Sequence, residues 1–372
     1  MRITDVQAII LSLPVISTAA DGTQDDLIIR VETDEGIVGY GEVDSSPYVG
    51  KAAVEARMSH GTCYGLRDVV VGMDPFDHEQ IWQSMWAKTY YYGRTGPAMH
   101  VMSGIDMALW DIMGKTTGLP VHKLLGGSYV SKVRPYASAL MPETPDEVTR
   151  LVNRHVKQGF TAIKLGWGPL GYDARRDIEL VRAARQAAGD QVELMIDIGK
   201  RYRLKTALFV ARALEQLDVY WLEEPFPAED LEGYRRLSSA VSIRIAAGEE
   251  ESGHQAFARL INEGGIDVVQ PDISRCGGLT EAKRIAGLAA DANILCVPHA
   301  FKTGLLVAAS LHLIAAIPHA PFLEFSVTES DLRRNLLANP FVLEDGYISV
   351  PRLPGLGVEL NLETVRKFSV SA

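Results

Sequence analysis

Asp197, Glu223 and Glu249 each close a short apolar run, in the segments MIDIG, WLEEP and AAGEE. Carboxylates gathered at one point repel one another, and three can stay ionised together only beside a cation. Oxygen donors of that charge suit a hard divalent ion, and Mg²⁺ is the expected one. Four more runs end on groups able to move protons or balance charge: IKLGW with Lys164, QPDIS with Asp272, VPHAF with His299 and FLEFS with Glu324. From Asp197 to Glu324 the successive intervals stay near about two dozen residues. One strand, one loop and one helix fill such an interval, so repeating β/α units are expected. A closed parallel barrel brings the C-terminal ends of its strands to one mouth, where such barrels hold their chemistry.

The alternation that must position these groups begins near residue 132, at KVRPYASAL. A helix such as TPDEVTRLVNRHVKQG carries its own signals, with Thr144 and Pro145 at its start and Gly159 at its end. Before the alternation, residues 1 to about 43 read as antiparallel strands with a turn at Glu35-Gly36. Residues 52 to about 125 are helical in pattern, including AMHVMSGIDMALWDIMGKTTG, which Gly118 and Pro120 stop. Two polar stretches, residues 16–26 and residues 44–50 around Ser45, Ser46 and Pro47, have the profile of mobile lid loops. After the last barrel strand, GYISVPRLPGLGVELN reads as a tail crossing back to the N-terminal part.

Composition sets bounds on function. A net charge of -10 without a Lys/Arg cluster argues against nucleic acid as a partner. No stretch approaches the length of a membrane span, and the opening MRITDVQAIILSLP reads as a strand and not a signal peptide. Cys63, Cys276 and Cys296 are scattered, without metal spacing, and suit a reducing, cytoplasmic setting.

Taken together, the ordered strand-end motifs, the SGIDMALWDI helix and the PGLGVE return segment resemble the enolase superfamily, in its mandelate racemase-like branch. The resemblance spans essentially the whole chain. It implies an α/β fold, a modified TIM barrel (β/α)₇β with an α+β capping domain. The capping domain would take residues 1–125 with the return segment 340–372, and the barrel residues 126–339. It also implies a small-molecule carboxylate substrate, a homo-oligomer, and metal-assisted removal of the proton α to the carboxylate through an enediolate. Such a carbon acid is very weak, because a second negative charge must form beside the first. A divalent ion, a cationic Lys and a hydrogen-bond donor placed there stabilise that charge. The general base must be neutral at working pH, as His or a depressed Lys can be.

Under this resemblance Asp197, Glu223 and Glu249 match the three metal ligands. Glu224 and Glu250 compete for the role, but successive strand side chains point opposite ways, so one of each pair faces the mouth. His299 matches the base and Asp272 its orienting partner, since a carboxylate on one imidazole nitrogen raises basicity at the other. Glu324 matches a strand-eight carboxylate that, when protonated, donates a hydrogen bond to the substrate carboxylate; the alternative is an ordinary salt-bridge partner. Lys164 matches the first Lys of a Lys-x-Lys motif, balancing charge on the substrate or serving as a substitute base. Here the chain departs from the pattern, with Gly166 where the second Lys would stand. It departs again at Gly199, where many relatives carry a polar residue. Lys200 and Arg201 could bind an anionic substrate or be solvated. Gly166-Trp-Gly168-Pro-Leu-Gly171 fits a dinucleotide fingerprint literally, but Pro169 removes a donor and no nucleotide-binding half surrounds it. Glycines there are expected to open room for a substrate chain.

One base on one face suffices for syn elimination, so the leading expectation is dehydration of an aldonate or aldarate to a 2-keto-3-deoxy acid. A cycloisomerase or epimerase would use the same enediolate. A non-catalytic acid-sugar binder is the remaining alternative, against which the intact residue set argues.

Overall fold

The computed structural model describes residues 1–370. Strands β1 (Ile3–Ser12), β2 (Asp25–Thr33) and β3 (Val38–Val43) form an antiparallel sheet in that order. The 21-residue helix Pro97–Thr117 lies along β3. The approach is close because three glycines line it: a Cβ on Gly41 would sit 1.9 Å from the Gly104 carbonyl oxygen, and one on Gly39 2.1 Å from that of Ala108. Ile29, Val31, Val43, Ile105 and Ala108 are fully buried in this seam.

A short ladder joins β4 (Lys132–Val133) to β13 (Ile348–Ser349). Between them run eight parallel strands: β5 (Pro135–Leu140), β6 (Ala162–Gly166), β7 (Glu193–Asp197), β8 (Val219–Glu223), β9 (Arg244–Ala247), β10 (Val268–Val269), β11 (Leu295–Cys296) and β12 (Leu323–Ser326). They bond in the order β11-β10-β9-β8-β7-β6-β5-β12. Between β11 and the segment entering β12, the Cys296 amide donates to the His319 carbonyl at 3.1 Å. Helices alternate with the strands, and the Thr144–Glu147 capping box starts the first of them, Pro145–Lys157. The C-terminal stretch runs back over the first elements: the Leu356 amide donates to Asp111 at 2.9 Å, and the Val370 amide to the Ile10 carbonyl at 3.0 Å.

The barrel is filled from below by an apolar plug of Tyr136, Ala162, Met195, Trp221, Ala246, Val268, Val297 and Phe322, one from each strand or its end. Side chains repeat every second residue on a strand face. Two positions further along, the same inward face therefore carries Ser138, Lys164, Asp197, Glu223, Gly248, Gln270, His299 and Glu324. The polar layer is the next course of the same masonry. Gly248 interrupts the phase with φ +135°, and the chain turns so that Glu249 takes the inward place. Phe257 and the Gln270 backbone lie within 3.3 Å of where a Gly248 Cβ would be. Glu224, one residue out of phase at φ +40°, turns to Lys200 at 3.6 Å.

The structure revises two local expectations. Residues 44–50 do not form one loop: Pro47–Glu55 is a helix, with Pro47 at its first turn, where a missing N–H costs nothing. Residues 16–26 end in a short turn, Gly22–Gln24, in which the Thr23 amide is capped by Asp21, and β2 begins at Asp25. Among the described residues no helix is long and apolar enough to cross a membrane.

Candidate active site

A cleft of about 380 Å³ opens at the C-terminal end of the barrel strands. Lys164, Asp197, Glu249 and His299 line it from the barrel, while Gly22 and Asp44 line it from the capping sheet side. Each barrel group stands at a strand end because the strands finish in register: Gly166 pairs with Asp197, and Asp197 with Glu223.

Asp197, Glu223 and Glu249 each offer a carboxylate oxygen, all within 4.8 Å of one another and all buried. Burial and the Glu223 charge push Asp197 up to about 8, against the opposing pull of Lys164. Burial first, and crowding by like charge second, disfavour the ionised carboxyl, and a cation bound among the three would relieve both. The donor set therefore fits a hard divalent cation. Glu223 is braced on its far side, its Oε2 accepting from Trp221 Nε1 at 2.8 Å and Gln270 Nε2 at 2.9 Å. Such outer partners fix the direction of a ligand.

His299 Nδ1 lies 2.6 Å from Asp272 Oδ2, and its Nε2 lies 3.2 Å from Glu249 Oε2. Asp272 is fixed in turn by the Ser274 amide at 2.7 Å and hydroxyl at 2.5 Å. Burial alone would lower the His299 pKa, but the Glu249 and Glu324 carboxylates and the Asp272 hydrogen bond outweigh it and hold it at about 10.

Lys164 Nζ sits 2.5 Å from Glu223 Oε1 and 2.8 Å from Glu324 Oε1. Burial works to lower its pKa, yet those two carboxylates carry it well above its ordinary value. Lys164 is thus a fixed cation, which disfavours its use as a substitute base. Glu324 accepts from Ser138 Oγ at 2.7 Å and the Ala300 amide at 2.8 Å as well as from Lys164. Burial raises its pKa, but Lys164 and His299 bring it down to about 2. In this arrangement Glu324 is an ionised acceptor beneath Lys164. The expected donor role toward a substrate carboxylate requires a protonated Glu324, whereas the groups around it here, Lys164, Ser138 and the Ala300 amide, are donors.

The glycine at 166 has a second reason besides the one expected. A Cβ there would stand 2.7 Å from the Asp197 Cβ and 3.0 Å from its Oδ2. Gly166 lines the cleft, as expected of a residue that leaves room there, and it also lets a proposed ligand lie against the neighbouring strand. Arg201 does not reach the cleft; it donates to the Gly168 and Leu170 carbonyls and ties down the loop after β6. Lys200 does line the cleft, over the Trp167 ring and paired with Glu250 at 2.7 Å.

Residues 3–126 match the mandelate racemase / muconate lactonizing enzyme N-terminal domain, and residues 147–365 match the enolase C-terminal domain-like family. The chain belongs to the enolase superfamily, in its mandelate racemase-like branch. This enolase-superfamily chain is 36% identical over 361 residues to a D-galactonate dehydratase of Ralstonia nicotianae, covering 93% of this chain and 91% of that one. It is 31% identical over 355 residues to a D-galactarolactone cycloisomerase of Agrobacterium fabrum, covering 92% and 90%. A crystal structure of a racemase from Streptomyces coelicolor with bound magnesium superposes with a TM-score of 0.88 at 30% identity, covering 99% of this chain and 100% of that one.

In this superfamily member all seven residues singled out from sequence converge on one cleft or its floor. Asp197, Glu249, Lys164 and His299 face the cleft; Asp272 stands behind His299, and Glu223 and Glu324 lie beneath Lys164. Three further groups were missed. Asp44 reaches in from the end of β3, Arg275 lines the cleft three residues after Asp272, and Lys302 follows His299 by three. Arg275 and Lys302 stand just beyond strand-end motifs, which was the available signal.

Proposed function

We propose that this enolase-superfamily enzyme is a Mg²⁺-dependent acid-sugar dehydratase, converting an aldonate or aldarate to a 2-keto-3-deoxy acid. His299 removes the proton α to the substrate carboxylate. Asp272 holds its Nδ1–H, fixing the tautomer that leaves Nε2 free to accept. Asp197, Glu223 and Glu249 would hold Mg²⁺, which when bound supplies Lewis-acid stabilisation of charge developing at the substrate carboxylate. Committing the Glu249 charge in that way removes the largest of the influences that raise the His299 pKa. The imidazole then approaches the neutral form that a base requires. Lys164, kept charged by Glu223 and Glu324, adds a fixed positive field in the cleft.

The electron pair left at the α-carbon expels the β-hydroxyl. The proton on His299 Nε2 passes to the departing oxygen, so water leaves and the enol product tautomerises to the 2-keto acid. One imidazole thus serves as base and then as acid on a single face.

The observation that carries this reading is the buried His299–Asp272 pair with Gly166 where a second base would stand. A D-galactonate dehydratase among the relatives supports it. The D-galactarolactone cycloisomerase supports a second reading, intramolecular capture of the same enediolate. Incubating the purified protein and Mg²⁺ with a library of acid sugars, and detecting 2-keto acids, tests the dehydratase reading. Consumption of lactones or anhydro acids without release of water would favour the second.

A further inference from the structure

Lys302 is fully buried, yet its ammonium belongs to neither the apolar core nor the proposed catalytic groups. It extends from the loop after β11 into the capping sheet. Its Nζ donates to the Gly22 carbonyl at 2.7 Å and lies 3.3 Å from Asp44 Oδ1 and 3.5 Å from Asp25 Oδ1. An ammonium has three donors, and three acceptors surround this one, two from before or at the start of β2 and one just after β3. Two further buried carboxyls, Asp26 and Glu42, lie close enough for their charges to help keep the ammonium protonated. Asp26 Oδ2 and Glu42 Oε1 are buried without a donor, as expected of a pair that retains a proton. Both carboxyls sit above their ordinary range, driven first by burial, and for Asp26 next by Glu42.

Asp44 is gripped from a second side. Arg275 Nη2 lies 2.5 Å from its Oδ2, and the same guanidinium lies 3.5 Å from Glu249 and 3.8 Å from Asp272. The lid backbone itself rests on the barrel, since a Cβ on Gly22 would come within 3.2 Å of the Phe301 carbonyl oxygen. Residues 20–22 line the cleft just beyond this contact. Every anchor on the barrel side follows closely on a residue of the His299–Asp272 pair.

We infer that Asp44 and Lys302 are positioning residues that latch residues 20–22 over the cleft, and that Arg275 ties this latch to the Asp272 side of the dyad. The inference rests on the reading of the cleft as the substrate site. Removing the ammonium loosens the roof without touching Lys164, His299 or the three metal-site carboxylates, whereas removing the Asp44 charge also releases Arg275, which lies near Glu249.

Two substitutions test it, Lys302→Met and Asp44→Asn, with Lys302→Arg as the conservative control. The first readout needs no substrate: amide hydrogen exchange of the Mg²⁺-supplemented full chain, followed over residues 13–24 and over β7. Both variants are expected to exchange at least about tenfold faster in 13–24, with β7 unchanged and Lys302→Arg close to the parent. The second readout is steady-state kinetics on whichever acid sugar the parent turns over, with KM rising about tenfold or more and kcat changing far less. Exchange in 13–24 equal to the parent in both variants overturns the latch. So does an increase spread equally over β7, which marks general destabilisation. Because exchange is read without substrate, failure of every acid sugar would sink the dehydratase reading and leave the latch standing or falling on its own result.

Discussion

The Nδ1 of His299 lies 2.6 Å from Oδ2 of Asp272, and Ser274 holds the other Asp272 oxygen through both its amide and its hydroxyl. A carboxylate with one oxygen committed to its own turn has little freedom to rotate. The imidazole inherits that orientation. Asp272→Asn would present an amide in place of the acceptor and favour the wrong tautomer. The expected result is a loss in kcat of roughly 10³–10⁴, as for other carboxylate-oriented histidines. Steady-state kinetics check it, and a loss below about tenfold would show that Asp272 is a structural group with no part in setting the tautomer.

Gly166 is expected to matter through the metal site. Gly166→Ala brings a methyl to within 2.7 Å of the Asp197 Cβ, so the carboxylate must shift away from Glu223 and Glu249. Divalent-ion affinity, measured calorimetrically with Mg²⁺ or Mn²⁺, should fall by about 10- to 100-fold, the range seen when ligand support is lost. Parent-like affinity would mean that Asp197 is not a ligand.

Lys164→Met leaves Glu223 and Glu324 buried without their shared cation. Breaking a buried pair from one side typically destabilises by about 3–5 kcal/mol. Denaturant unfolding of the chelated protein reads that loss directly. Turnover should fall by at least about 10³, since a fixed positive charge near the developing anion is removed. A stable variant with near-parent activity would contradict both roles.

Stability in chelator should depend on pH in a stated direction. Asp197 is raised to about 8, so in the window from about 4 to 8 the folded state binds a proton that the unfolded state has released. Stability therefore falls as pH rises through that window. His299, raised to about 10, contributes stability below its ordinary pKa that is lost as pH climbs from about 6.5 to 10. Both effects have the same sign. Below about pH 6.5 the neutral His100 and His312, each lowered by burial to about 4, work the other way. The decline of the thermal midpoint in chelator is therefore expected from about pH 7 to pH 9. Added Mg²⁺ should raise the midpoint most at the alkaline end. A midpoint in chelator that rose over this range would rule out the raised Asp197 carboxyl.

Much of the barrel was legible because its polar layer stands two residues beyond an apolar plug, strand after strand. Lys164, Asp197, Glu223 and His299 follow Ala162, Met195, Trp221 and Val297 in that rhythm. Glu249 obeys another rule, the turn at Gly248, and was found through its motif. Asp44, Arg275 and Lys302 escaped because the pairs that join Asp44 to Arg275 and to Lys302 span more than two hundred residues, Asp44 to Arg275 by 231. Only closure of the capping sheet onto the barrel creates those pairs. The state of Glu324 was equally out of reach, since it depends on Lys164, Ser138 and the Ala300 amide arriving together. Pro47 after Ser46 did signal a helix start, but the surrounding polar residues read as loop.

The central claim is that proton abstraction passes through His299 alone, and exchange of the substrate α-proton with solvent tests it most directly. The experiment incubates His299→Asn and Lys164→Met, each with Mg²⁺ and substrate in D₂O, and follows the α-position by proton NMR. No exchange and no turnover are expected in His299→Asn. Exchange that persisted in His299→Asn and vanished in Lys164→Met would make Lys164 the base and contradict the account.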